Sequence, residues 1–92
     1  MEKIKAIVKD LKECGKEFEN SLKLEAFIKD KLKDYKFEVG ETIEIDKHCN
    51  VPYYIYDLDI FIIVKEDTRD IDIYDPDSYV SFIKDINIYK KL

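Results

Sequence analysis

Hydrophobic side chains change their spacing along this chain, and the changes divide it into predicted elements. Ile4, Ile7, Val8 and Leu11 recur at three and four positions, the spacing of one apolar helical stripe, and Gly15 follows where a left-handed C-cap belongs. The pattern predicts a helix over about residues 2 to 14. Asn20 or Ser21 then serves as the N-cap of a second helix with Leu24, Phe27, Ile28 and Leu32 on one face, and Phe18 and Leu22 read as its backward extension.

From Phe37 the period becomes two. Phe37, Val39, Ile43 and Ile45 alternate with polar residues around Gly40-Glu41, which predicts one bent strand or a short hairpin. After a polar connection from Asp46 to Asn50, Pro52 introduces the longest predicted strand, Tyr53 to Val64, with Tyr54, Tyr56, Leu58, Ile60, Ile62 and Val64 on its apolar side. Lys65-Glu66-Asp67-Thr68 reads as a hairpin loop and Asp70 to Tyr74 as the returning strand. Asp75-Pro76-Asp77 reads as the start of a third helix carrying Tyr79, Val80, Phe82, Ile83 and Ile86, with Asn87 to Leu92 as a final strand or tail. The expected order is α-α-β(β)-β-β-α(β). It describes a single small α+β domain over residues 1–92, with helices packed on one face of a mainly antiparallel sheet of three to five strands.

This pattern implies a pairing. With the even side of Tyr53 to Val64 turned to the core, Ile71 and Ile73 must join it, because a slip of one residue moves every side chain to the opposite face. Val64 then stands opposite Arg69, Ile62 beside Ile71 and Ile60 beside Ile73. Asp57, Asp59, Asp70 and Asp72 are driven to the reverse face, among Tyr53, Ile55, Phe61, Ile63 and Tyr74.

Composition narrows the classes. The chain has 92 residues, 46% hydrophobic and 40% charged, enough apolar content to separate it from disordered sequences. No apolar run approaches the length of a membrane span, and the start lacks the apolar stretch of a secretory signal, so a soluble, cytoplasmic protein without membrane contact is expected. Cys14 and Cys49 are expected as free thiols. Adjacent His48 and Cys49 point apart in an extended chain and read as a polar loop, not as a zinc pair.

Charge sharpens the reading. The net charge is −5, yet the first 36 residues hold ten Lys against eight acids, whereas residues 57 to 77 hold eight acids against Lys65 and Arg69, a local −6. Acids on a solvated sheet face are ordinary. Acids interleaved with aromatic and aliphatic side chains instead suit an interface, with apolar anchors and a field that attracts a basic partner. The sequence therefore predicts a binding or regulatory protein that engages a basic protein surface through Asp57, Asp59, Asp70, Asp72, Tyr53, Phe61, Ile63 and Tyr74, one form being a nucleic-acid-mimicking inhibitor. No direct nucleic-acid contact and no cofactor are expected, and a back-to-back homodimer is the simpler variant. This reading turns on whether Phe61, Ile63 and Asp59 are exposed together.

The alternative is a minimal or degenerate metal-dependent nucleic-acid enzyme. Asp57-Leu58-Asp59 followed by Ile71-Asp72-Ile73 resembles the acidic triad of polymerase-beta-type nucleotidyltransferases, over about 20 residues. That resemblance implies Mg²⁺ held by Asp57, Asp59 and Asp72 for phosphoryl transfer. The family's Gly-Ser turn is missing, since Gly40-Glu41 lies 17 residues before Asp57. The order of elements also resembles restriction-endonuclease-like nucleases, with Glu25, Asp59 and Asp72 as the acids, but Tyr74 stands where those enzymes carry Lys. The balance leans away from an enzyme.

Overall fold

The computed structural model of the protein describes residues 2–45, 48–75 and 77–90. Asp46 and Lys47 of the predicted connection, Pro76 at the predicted third helix, and Lys91 and Leu92 at the tail lie outside the described residues. The elements run α1 (Glu2–Glu13), β1 (Glu17–Phe18), α2 (Ser21–Lys31), β2 (Phe37–Val39), β3 (Ile43–Ile45), β4 (His48–Ile55), β5 (Ile60–Asp70) and β6 (Tyr79–Lys90). The result is an α+β domain with two helices and an antiparallel sheet ordered β1-β6-β5-β4-β2, with β3 also on β4.

The helices follow their stripes. α1 buries Ile4, Val8 and Leu11, and Gly15 beyond it takes φ 58°, a conformation that only glycine adopts without penalty. Asn20 caps α2 by accepting a hydrogen bond from the Lys23 N–H at 3.0 Å. Leu22 belongs to α2, but Phe18 does not extend it backwards. Phe18 lies on β1 opposite Ser81 and is buried, while Leu22 is exposed.

The region from Tyr53 to Val64 corrects the predicted long strand. Tyr56 to Asp59 form a turn that joins β4 to β5, and Ile55 pairs with Ile60 across it. Four intervening residues invert the parity of the inward positions. Val51, Tyr53 and Ile55 point into the core before the turn, and Ile60, Ile62 and Val64 after it. The structural reason is Asp59, whose φ of 52° places it in the left-handed region that Asp tolerates better than most residues.

Two further corrections lie downstream. The predicted hairpin loop 65–68 is the middle of β5, with Glu66 inward and buried. The predicted third helix is β6, which pairs with β5 along its whole length. A β-bulge accounts for the helical appearance: Lys65 pairs with Asp85 and Glu66 with Ile83, leaving Lys84 as the extra residue. Ile83 and Ile86 consequently both contact the core, three positions apart, as on a helix. A similar irregularity bends the edge. Tyr53 pairs with Val39 and Asn50 with Ile43, so four steps on the edge chain match three on β4. Gly40 sits there with its N–H donating to the Pro52 carbonyl at 2.8 Å.

Ile4, Val8 and Leu11 of α1, Leu24 and Ile28 of α2, and Leu32 just beyond it share one buried cluster with the inward residues of β4, β5 and β6. Among the described residues, no helix is long and apolar enough to cross a membrane.

Candidate protein-binding surface

The β4–β5 turn carries an aromatic cluster on the outward side of the sheet. Tyr54 packs edge-on against Tyr56 with ring centroids 4.8 Å apart and lies 5.0 Å from Phe61. The Tyr54 hydroxyl donates to Asp59 and that of Tyr56 to Glu38, and both bonds hold the phenols above their ordinary pKa by favouring the protonated form. Asp57 accepts from the Lys36 N–H at 3.4 Å.

The structure divides the predicted site into three parts. Asp57 and Asp59 occupy the β4–β5 turn, and Phe61 and Ile63 point outward from β5, so Asp59 is exposed and the two apolar side chains half-buried. Asp70 ends β5, with Asp72 and Tyr74 in the loop that follows. Tyr53 belongs to neither group, because the inverted parity puts it fully inside the core. The predicted register is likewise corrected: Val64 pairs with Val51 and Ile86, whereas Arg69 pairs with Val80. Ile71 and Ile73, predicted to enter the core, are 59% and 85% exposed.

Distance then separates the acids. The eleven residues of β5 span ~35 Å at ordinary strand rise. Asp57 and Asp59 lie at one end and Asp70 and Asp72 at the other, so the structure does not bring Asp57, Asp59 and Asp72 together. Glu25 is elsewhere again, on α2. Among the described residues, no three His, Cys, Asp or Glu side chains gather to hold a metal ion.

The outward face and the far loop differ in charge. On the face, Lys65 pairs across the strands with Asp85, Lys84 approaches Asp67 at 3.6 Å, and Arg69 clasps Glu17. Both signs alternate there. Hydrogen bonds from the Thr68 N–H to Asp67, and from the Asn87 amide to Asp85, hold these carboxyls below the usual range. The loop after β5 is of one sign: residues 70 to 83 contain Asp70, Asp72, Asp75 and Asp77 and no Lys or Arg. Tyr74 is 89% exposed at its tip.

The loop backbone is ordered by its own acids. Asp72 Oδ1 accepts from the Tyr74 N–H at 2.9 Å and Asp75 Oδ1 from the Asp77 N–H at 3.1 Å, two Asx-turns in succession. The Ile71 N–H donates to the Ser78 carbonyl at 2.9 Å and closes the base. Asp70 and Asp77 are exposed, so their charge faces solvent.

Sequence reasoning missed a buried acid. Glu66, assigned to an exposed loop, is 6% exposed, and burial followed by repulsion from Glu25 raises its pKa to about 7. The Tyr53 hydroxyl is buried nearby without a hydrogen-bond partner among the described residues; burial first, then Glu25 and Glu66, push its pKa upward. The signal in the sequence was parity: counted from Ile60, position 66 falls on the same side as Ile62 and Val64. His48 and Cys49 are not a loop but the start of β4. The His48 Nδ1 lies 3.5 Å from Asp67, and Cys49 is an exposed free thiol opposite Glu66.

Comparison with protein-family models, curated proteins and solved structures finds no match to this chain, so the surface is read from its own geometry.

Proposed function

We propose that the protein is a binding and regulatory module that engages a basic protein partner through the tip of its β5–β6 hairpin. The observation that carries this reading is the exposure of Ile71, Ile73 and Tyr74 on a loop whose four carboxylates have no basic neighbour in the same stretch. Large apolar side chains held in water at a loop tip supply anchors for a pocket, and surrounding charge of one sign speeds encounter with a partner of the opposite sign. The outward sheet face offers aromatic area as well, but its mixed charges select no sign of partner. The acidic interface therefore sits at the hairpin tip and not on the sheet face. A basic surface that ordinarily receives nucleic acid has the matching charge, and competition for that surface is the regulatory consequence.

The test uses two variants that leave the Asx-turns intact. Asp70→Lys with Asp77→Lys reverses charge, and Ile73→Ser with Tyr74→Ser removes the anchors. Capture from native extract is expected to recover one basic protein with the natural chain, in a salt-sensitive manner, and to lose it with each variant. Retention of that protein by both variants sinks the proposal.

A further inference from the structure

Behind the β5–β6 hairpin, a cavity of ≈ 240 Å³ opens between α2, β4, β5 and β6. Its polar lining comes from separate elements: Ser21 begins α2, Glu66, Asp67 and Thr68 lie on β5, and Ser81 lies on β6. Exposed Cys49 and Tyr79 stand at its mouth. Glu66 is the buried acid of that lining, and its Oε2 finds no hydrogen-bond donor among the described residues. No Lys, Arg or His among them forms an ion pair with it.

We infer that this cavity is a binding site for a primary alkylammonium group, with Glu66 as its counter-ion and the Ser21, Thr68 and Ser81 hydroxyls as acceptors for the remaining N–H donors.

Three considerations select that chemistry. An unpartnered buried carboxylate oxygen destabilises the fold, and a cation carrying N–H donors removes both the charge and the missing bond. Glu25, one helical turn from Ser21, adds a second negative field, since its repulsion acts on both Glu66 and Tyr53. The lining hydroxyls belong to α2, β5 and β6, and acceptors carried on three separate elements suit the compact, rotatable donors of an ammonium better than the flat fork of a guanidinium. A cavity of this size accommodates a short aminoalkyl chain but not a drug-sized molecule. The source of the ammonium is either a free small amine or the side chain of a lysine in another protein.

The experiment is a ¹³C NMR titration of the full chain with labelled Glu carboxylates at about pH 8, a unit above the value at which Glu66 titrates. The ionisable groups around Glu66 are Glu25 from α2, Tyr53 and Cys49 from β4 and Tyr79 from β6, while Asp67, next on its own strand, turns to the outward face with Lys84; the labelled Glu25 carboxylate is followed in parallel. Butylammonium is expected to shift the Glu66 carboxylate saturably at millimolar concentration. Butanol, which has the same stem without the charge, is expected not to, and Glu66→Gln, checked for folding by its amide spectrum, is expected to abolish the saturable shift read at the neighbouring Glu25 carboxylate. Tip variants of the hairpin should leave the shift unchanged, which separates this site from the partner-binding surface. A blocked lysine amide that binds more tightly than butylammonium assigns the site to protein lysines, and the reverse order assigns it to free amines. An equal response to butanol, saturation that survives Glu66→Gln, or no saturable shift overturns the inference.

Discussion

Arg69 and Glu17 meet in a two-point clasp, with Nε donating to Oε2 at 2.8 Å and Nη2 to Oε1 at 2.9 Å. Fifty-two residues apart in sequence, they join the far half of β5 to β1 across the intervening β6. Arg69 is the one Arg in a chain of fifteen Lys, and it stands where a planar, forked donor is needed. The clasp holds the base of the projecting hairpin, next to its acidic tip, against the segment between the helices.

Both partners are about half-exposed, so solvent screens the pair. A double-mutant cycle of Arg69→Ala and Glu17→Ala is expected to give a coupling of about 0.5–1 kcal/mol at low salt, falling in molar salt. Arg69→Lys should recover less than half of it, because an ammonium cannot make both bonds in parallel. A coupling of several kcal/mol, measured by urea unfolding, would show that the clasp is screened less than its exposure implies.

Glu66 predicts an unusual pH dependence. Its folded pKa of about 7 lies above the ordinary glutamate value of 4.5, so the folded state keeps the proton between those limits while the unfolded chain has lost it. Below pH 4.5 both states are protonated and the group contributes no penalty. As pH rises from 4.5 to 7 stability falls, and above 7 the loss is complete, on the order of 3 kcal/mol. Glu66→Gln should therefore stabilise the protein in alkaline buffer and have little effect in acid. Denaturant midpoints taken at both ends of the range check the sign.

Gly40 faces a rigid neighbour. A Cβ added there would lie 2.9 Å from Pro52 Cγ, closer than real contacts of this kind, and a proline ring yields little. Gly40→Ala is expected to cost about 1–2 kcal/mol, and Pro52→Ala in the same chain to recover most of that loss. Failure of the second change to rescue the first, seen in thermal unfolding, would place the constraint in the backbone instead.

The bulge in β6 can be tested by removing a residue. Deleting Lys84 restores strict alternation, with Ile83, Asp85 and Ile86 opposite Glu66, Lys65 and Val64, so both isoleucines keep facing the core and the deletion is expected to cost no more than about 1–2 kcal/mol, through the altered bend of the strand. Lys84→Ala keeps the residue count and should cost less than about 1 kcal/mol, mainly through the exposed contact with Asp67. Calorimetry that finds several kcal/mol for the deletion and little for Lys84→Ala would show that the two isoleucines do not keep this register once the bulge is removed.

These corrections share a cause. Both helices were legible because Ile4, Val8, Leu11, Leu24 and Ile28 repeat at a period that a regular strand does not imitate, and because Asn20 is a strong cap. The strands were legible as strands only where nothing disturbed their alternation. Alternation reveals which residues share a face, but it carries no mark at a four-residue turn, since Tyr56 to Asp59 preserve an apolar-polar pattern while reversing the chain. The bulge at Lys84 had the opposite effect, breaking alternation where the strand is continuous. Charge was equally ambiguous: Lys65 to Thr68 looked like a loop because four polar residues adjoin, yet Glu66 is inward and the others are outward or at the sheet's end. The acidic segregation itself was read correctly from the sequence. Its division between two ends of β5 required the register, which depends on contacts far apart in the chain.

The lengths of the strands bear on how copies of the chain behave toward one another. The flanking strands are two residues in β1 and three each in β2 and β3, and β6 runs beside α1 beyond its contact with β1. Among the described residues, the pairing of β4 with β5 ends at Cys49 and Glu66, which leaves the hydrogen-bonding groups of Thr68, Arg69 and Asp70 without a strand on that side. An open edge of that kind is where another polypeptide adds itself and where fibrils start to grow. Here it is short, carries a cation beside an anion, and ends in the acidic loop. Two copies brought edge to edge in antiparallel register would set that loop against the other copy's partly acidic strand end, so the same charges that favour a basic partner also discourage self-templating.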